Sequence, residues 1–281
     1  LFIVVRERIC HEADSIIGFF KLQLKTGGYL KFLIQSDEVS LMEKRAVRSA
    51  AMIMDDVEVQ MATLEGLGSL SPVAKYCPVG TVEFVKRWAE ICGVNLPTSM
   101  SYPSLLRNDT FLHRALGPGT LRDAKLNQFV KPRFDVKGFT GCLKRELYGT
   151  GIRGSVCIST PNEGYPVWIS DPVKFTTEVR YYVLNGKIVG YGRYDDGPDD
   201  GPTPDIGVVT SAIRTLGISS DVACPSGYSL DFGVLDNGKT ALVEVNDGWA
   251  LGYYRGTCSH RDYAMLLWTR WRELVDQSRR T

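Results

Sequence analysis

Residues 228–247, YSLDFGVLDNGKTALVEVND, constrain the fold of this chain more than any other stretch. At their centre, Asn237-Gly238 is a strong hairpin signal, because a two-residue type I′ loop needs positive φ at both positions and matches strand twist. Counting outward from such a turn pairs Asp236 with Lys239, Val234 with Ala241, Phe232 with Val243, Asp231 with Glu244 and Leu230 with Val245. One face is then wholly apolar, and the other carries Asp231, Glu244 and Asn246. A one-residue slip would scatter both sets, so the apolar pattern supports this register independently of the acids. Carboxylates placed directly opposite, with Cβ atoms roughly 4.5–5.5 Å apart, repel, and a cation is expected between them. Oxygen donors with no histidine or thiolate among them suit magnesium or manganese better than zinc. A solvated acidic face is the plain alternative.

The chain has 33 basic and 32 acidic residues, so no overall field points to nucleic acid or an anionic membrane as a partner. Its seven cysteines show neither Cys-x-x-Cys nor zinc spacing and read as reduced, mostly buried thiols of a cytoplasmic protein. No apolar run approaches the ~20 residues needed to span a bilayer. The opening LFIVV, followed by Arg6, Glu7 and Arg8, reads as a buried strand, and the missing initiator Met as a sign that the chain is part of a longer product.

Strand and helix then alternate. A helix is expected over residues 12–25 and a strand over 29–35. A second helix carries Met42, Ala46, Ala50 and Ile53 and opens on a Ser40…Glu43 capping box. Such alternation argues for a small α/β layer on a largely parallel sheet. Residues 55–78, broken by Gly66, Gly68 and Pro72, read as strand and loop. Thr81 caps a helix over Val82–Cys92, which Gly93 closes. A domain boundary is placed near Asn95, giving units 1–94 and 95–281. The segment 105–116, with Arg107, His113 and Arg114, is expected to close at Gly117-Pro-Gly119.

In the second unit, Phe129-Val-Lys131-Pro132 reads as a strand ending on its lysine, since proline cannot continue the ladder. Lys137-Gly138-Phe139-Thr140-Gly141 can wrap backbone N–H groups around phosphate oxygens, although glycines at such a place also make ordinary turns. Residues 165–172, which include Trp168 and Ile169, are extended and apolar, and read equally as a linker or a buried strand. A hairpin over residues 178–194 turns at Asn185-Gly186. It sets Glu178 opposite Arg193 and Arg180 opposite Tyr191, which by itself is compatible with a surface ion pair. The acidic segment 195–205 reads as a solvated loop, 210–216 as a helix and 247–255 as a substrate-facing loop. Ser259 caps a closing amphipathic helix.

FVKP, KGFTG, an apolar linker, Glu-x-Arg on a strand, then Asp and Glu-x-Asn on a hairpin occur in that order over about residues 79–255. Together they resemble the ATP-grasp superfamily, in particular its compact carboxylate–amine ligase-like members. The resemblance implies an α+β fold: antiparallel sheets with helices, preceded by a small α/β N-terminal domain. It implies that Lys131 contacts nucleotide phosphates, that the loop of Lys137, Gly138, Phe139, Thr140 and Gly141 closes over them, and that Trp168 and Ile169 form the adenine hinge. Glu178 would hold the ribose, Arg180 and Arg193 the γ-phosphate and an acyl-phosphate, and Asp231, Glu244 and Asn246 would hold Mg2+ or Mn2+. The family's earlier phosphate lysine is not evident, and Arg114 or Arg107 stands in its place. The implied reaction joins a small-molecule or peptide carboxylate to an amine at the expense of ATP, releasing ADP and phosphate. A small-molecule kinase and a non-catalytic nucleotide-binding module are the alternatives; oligomeric state is left open.

Overall fold

The computed structural model describes residues 29–38, 41–134, 139–147, 162–195, 197, 200–218 and 224–280. The expected LFIVV strand, the helix over 12–25, Ser40, Lys137, Gly138, and Asp196, Pro198 and Asp199 of the acidic loop lie outside these residues.

The first layer runs β1 (Leu30–Gln35), α1 (Met42–Ile53), β2 (Val57–Ala62), β3 (Cys77–Val79) and α2 (Val82–Cys92), and its sheet has the order β2-β1-β3 with both pairings parallel. The central strand, LKFLIQ, is nearly continuous in apolar residues, as a strand flanked on both sides should be. The two outer strands begin in the stretch that reads as strand and loop; both are edges, and β3 is only three residues long. The N-cap of α1 is Leu41, without a side-chain cap. Thr81 does cap α2, its Oγ1 accepting from Phe84 N at 3.2 Å, and Gly93 at φ 65° ends it.

The second half opens with α3 (Asp109–Leu112) and contains two four-stranded antiparallel sheets. The first is built from β4 (Leu116–Thr120), β5 (Phe129–Pro132), β6 (Cys142–Leu143) and β7 (Pro166–Ser170), in the order β4-β7-β5-β6, with α4 (Lys144–Leu147) after β6. Gly117-Pro-Gly119 is thus a strand rather than a closing turn. Pro118 is tolerated there because β4 is an edge. The second sheet is built from β8 (Phe175–Leu184), β9 (Lys187–Arg193), β10 (Gly227–Leu235) and β11 (Thr240–Asp247), in the order β11-β10-β8-β9, with α5 (Ile206–Gly217) packed on its apolar face. The closing α6 (His260–Ser278) is capped by Ser259, whose Oγ accepts from Asp262 N at 3.0 Å. It returns to the first layer: Tyr263, Leu267 and Trp271 share a core with Leu30, Phe32 and Trp88, and the Trp271 indole donates to Ala74 O at 2.7 Å. Burial pushes the Cys92 thiol to about 11 and that of Cys258 to about 12, which keeps them protonated and unreactive.

Both hairpins depart from a regular register, each in its own way. At the tip of β10–β11 only Gly238 has positive φ (81°), and Leu235 N bonds Lys239 O, so the loop is one residue longer than a type I′ turn. The pairs near the tip therefore become Val234 with Thr240 and Phe232 with Leu242, not Ala241 and Val243. A bulge at Val243 restores the offset, and Asp231 pairs with Glu244 as expected. Leu242 and Val245 are three residues apart and both buried on the apolar side, an arrangement that a regular period-2 strand cannot make. In β8–β9, Asn185 (φ 50°) and Gly186 (φ 74°) do form the two-residue turn. A bulge at Val189 then puts Ile188 and Tyr191 on one side, the latter packed on Tyr181 with ring centroids 5.8 Å apart. Its consequence is a correction: Arg193 lies opposite Val179, not Glu178, and Arg180 opposite Gly192 rather than Tyr191.

Candidate active site

Because β8, β10 and β11 are neighbours, Arg180, Asp231 and Glu244 occupy one row across three strands. Arg180 Nε and Nη2 donate to the two Asp231 oxygens at 2.9 and 2.7 Å, the two-pronged geometry of guanidinium on carboxylate. Asn246 Nδ2 donates to the same carboxylate at 3.1 Å. Glu244, at the end of the row, is met by the Lys131 ammonium of the other sheet. The charges thus run plus, minus, minus, plus, and the cations that offset the two acids belong to the protein itself. Asp231 is fully buried, which pushes its carboxyl above the usual range, while the Arg180 guanidinium pulls the other way. Burial works against the charge of Lys131, yet Glu244 prevails and holds its pKa above the ordinary lysine value.

Arg180 is itself enclosed. It lies 5.0 Å from the Tyr254 ring and donates to Gly252 O at 3.3 Å. Tyr254 stacks on Tyr194 with centroids 5.0 Å apart, and Tyr194 OH donates to Glu178 Oε2 at 2.8 Å. Burial raises the pKa of Glu178, and more strongly that of Tyr194. Tyr182 OH accepts from Tyr254 N at 2.7 Å and fixes the 252–254 segment over the row.

The row forms part of the wall of a cavity of about 610 Å³ that contains Lys131, Arg180, Glu244, Asn246, Thr140 and Gly141. Phe139 reaches this wall from the core of the first antiparallel sheet, beside Val130 and Val167, and so anchors the end of the glycine loop. A Cβ on Gly141 would come within 2.5 Å of the Phe129 ring, which would have to shift to admit it. Ser99, Ser101, Trp249, Leu251 and Tyr254 also line the cavity. Tyr194, Tyr254 and the two serines were not evident as site residues in the sequence. The signal available was the aromatic, glycine-rich run after Asn246, which marks a region but not a side chain.

Other expected residues stand elsewhere. Arg193 pairs with Asp195 through Nε and Nη2 at 2.7 and 2.6 Å, at the base of the acidic loop, and is not in the cavity wall. Arg114 donates to Leu112 O and lies 5.8 Å from the Phe175 ring, also outside that wall. Trp168 and Ile169 are inside β7, which has a ladder on each side, so their backbone groups face neighbouring strands; the chain leaves the ladder only after Ser170.

Among the described residues no three His, Cys, Asp or Glu side chains cluster as a metal site. The donors present are hard oxygens, as magnesium requires when phosphates and water complete its shell. Glu244 and Asn246 reach the cavity; Asp231 lies behind them, its oxygens held by Arg180 and Asn246. The set fits such an ion through Glu244 and the Asn246 carbonyl, with Asp231 as the charge beneath.

The sequence model of a family described as an ATP-grasp domain, the third family of its clade, matches residues 44–274. No curated protein matches. Among solved structures, the D-alanine–D-alanine ligase of Bacillus anthracis aligns with a TM-score of 0.51 at 15% identity, over 89% of this chain and 99% of that one. The D-alanyl-alanine synthetase A of Vibrio cholerae aligns at 0.45 and 13% identity, over 89% and 97%. N5-carboxyaminoimidazole synthetase from Staphylococcus aureus aligns at 0.45 and 11%, over 86% and 78%.

Proposed function

Since the chain belongs to this family of ATP-grasp domains, we propose that it is an ATP-dependent ligase joining a carboxylate to an amine through an acyl-phosphate. The observation that carries this reading is the charge row beside a glycine loop in one cavity: Lys131 and Arg180 flank two carboxylates and an amide, with Thr140 and Gly141 adjacent. We take residues 95–281 as the ATP-grasp unit and 1–94 as a preceding domain.

In this mechanism Lys131 and the 139–141 backbone bind the triphosphate, and Lys131 lets go of Glu244 as it does so. Glu244 and the Asn246 carbonyl would hold magnesium, which would offset charge on the phosphates. Arg180 is fixed by Asp231 and lines the cavity, with its Nη1 held by Gly252 O until a ligand takes it. It stabilises the γ-phosphoryl group while the substrate carboxylate attacks it, and then the acyl-phosphate while the amine displaces phosphate. Tyr254 and Trp249 shield that end from water. Positioning and charge complementarity do the chemistry, and no side-chain nucleophile is required.

The test is ATP hydrolysis with pooled small-molecule or peptide carboxylates and amines and magnesium. ADP and phosphate released only when both substrates are present support the ligase. A phosphorylated product without free phosphate would make the protein a kinase instead.

A further inference from the structure

The cavity wall rests on all three hydrophobic cores. Phe139 belongs to the core of the first antiparallel sheet, Val245 to that of the second, and Trp249 and Leu251 to the core under the parallel layer, on which Val82 and Ala250 also pack. The groups that the mechanism assigns to phosphate and metal come from the two antiparallel sheets and the glycine loop. What the third core adds, Val82, Trp249, Ala250 and Leu251, is apolar throughout. These side chains are also held in place. Trp249 N donates to Asp247 Oδ1 at 3.2 Å, Leu251 O accepts from the buried Tyr263 hydroxyl, and Val82 opens the capped helix α2. An apolar surface fixed in this way selects an apolar group.

The acids of the wall are already committed. Both oxygens of Asp247 accept from Arg270, at 2.8 and 2.6 Å, and Glu244 meets Lys131. Glu43, whose charge reaches Arg180, accepts from the Tyr253 N–H and is not in the wall. A free amino acid held by its carboxylate would bring an ammonium beside the Arg180 guanidinium, with no uncommitted acid among the described wall residues to meet it. Neutral polar groups are available instead. Ser99 and Ser101 Oγ lie 2.8 Å apart, and Ser101 O accepts from Val245 N at 3.0 Å, which sets the pair beside Glu244 and Asn246. Hydroxyls both donate and accept, as an amide does. We propose that the carboxylate substrate is an N-acylated, apolar amino acid, its side chain against Val82, Trp249 and Leu251 and its amide on Ser99 and Ser101. The assignment rests on the ligase reading above and names the substrate class.

Hydroxylamine in place of the amine tests it without knowledge of the second substrate. The carboxylate oxygen bonds the γ-phosphorus as ADP departs; the hydroxylamine nitrogen then bonds the acyl carbon as phosphate leaves with the proton, giving a hydroxamate. With the intact chain, ATP and magnesium, N-acetyl-leucine and N-acetyl-phenylalanine are expected to exceed leucine, phenylalanine, N-acetyl-lysine and N-acetyl-aspartate at least about tenfold in kcat/KM. The tripeptide alanyl-alanyl-leucine, if better than N-acetyl-leucine, makes the substrate a peptide C-terminus; if worse, a small N-acyl acid. Trp249→Ala should raise KM for N-acetyl-phenylalanine about tenfold and leave KM for ATP unchanged. Val82→Asp, at a helix start that favours an acid, should narrow the preference for N-acetyl-leucine over leucine, and thermal melts verify that each variant folds. Leucine used as well as N-acetyl-leucine, or a charged side chain preferred, would overturn the proposal and leave the ligase reading intact. No hydroxamate from any carboxylate, in a chain that binds ATP, would remove the ligase reading itself.

Discussion

Lys131 of the first antiparallel sheet touches Glu244 of the second, the contact that ties the cavity's two walls together. It satisfies two charges where the phosphates and the ion would otherwise do so. Lys131→Met is therefore expected to lower ATP affinity about tenfold. Glu244→Gln should bind ATP but lose turnover at limiting magnesium. Calorimetric titration and a rate assay check the two; unchanged ATP affinity in Lys131→Met would leave the lysine as a tie between sheets only.

The Arg180–Asp231 pair is the most buried charge pair in the row, with side chains 9% and 1% exposed. Removing one member leaves the other charge uncompensated, at a cost of about 3–5 kcal/mol. Asp231→Asn should thus lower the urea midpoint as well as activity, whereas Arg180→Lys, which keeps the charge but not the two-pronged contact, should lose rate more than stability. Normal turnover in Arg180→Lys would exclude it from phosphoryl stabilisation.

Arg193 gives the opposite expectation. Paired with Asp195 and outside the cavity wall, it should tolerate Lys with near-normal turnover, at a stability cost of ~1 kcal/mol or less. The Arg193 guanidinium holds the Asp195 carboxyl below its ordinary range. A depressed acid contributes stability above its unfolded pKa and loses it as pH falls through the folded one. Wild type should accordingly exceed Arg193→Met in stability at neutral pH, with the gap closing as pH drops below about 4. Melting curves across that range decide; a gap that widens on acidification would contradict the pairing.

The outer edge of strand β9 is covered by the chain after Gly252. Gly190 sits at φ 156°, where a Cβ would lie 2.2 Å from Cys258 Cα, and one on Gly256 would lie 2.0 Å from Tyr191 O. Gly190→Ala and Gly256→Ala should each cost about 1–3 kcal/mol in urea unfolding and displace Tyr254 from Arg180, with a loss of activity that stabilising the fold does not restore. Wild-type midpoints in both would show the edge to be open.

Much of this site could be read from residue order. The helix at Val82–Cys92 and the facing of Asp231 and Glu244 follow from a cap and an apolar alternation, and Lys131 stands on the expected strand, although that strand runs on through Pro132, which pairs with Val167, and does not stop at the lysine. What could not be read depended on partners distant in sequence. Three-residue β3 is a strand only because β1 lies beside it. That Lys131 and Arg180 are the cations meeting Glu244 and Asp231 depends on sheet order, which local pattern does not encode. The facing of Arg193 failed because a turn signal does not reveal a bulge. The Leu242–Val245 spacing did carry that information for the other hairpin, since two buried apolar side chains three apart cannot belong to a regular strand.

In the β10–β11 hairpin the longer tip and the bulge at Val243 cancel, so the acids face each other whichever way the tip is closed. The tip is thereby uncoupled from the chemistry. A relative could gain or lose a residue at Asn237-Gly238 and keep its carboxylates aligned by adding or dropping the bulge. Gaps in comparisons among such chains belong between Phe232 and Glu244, and distance from the turn is no measure of which acid is equivalent. In β8–β9, where no second shift compensates, the same counting would assign the wrong arginine.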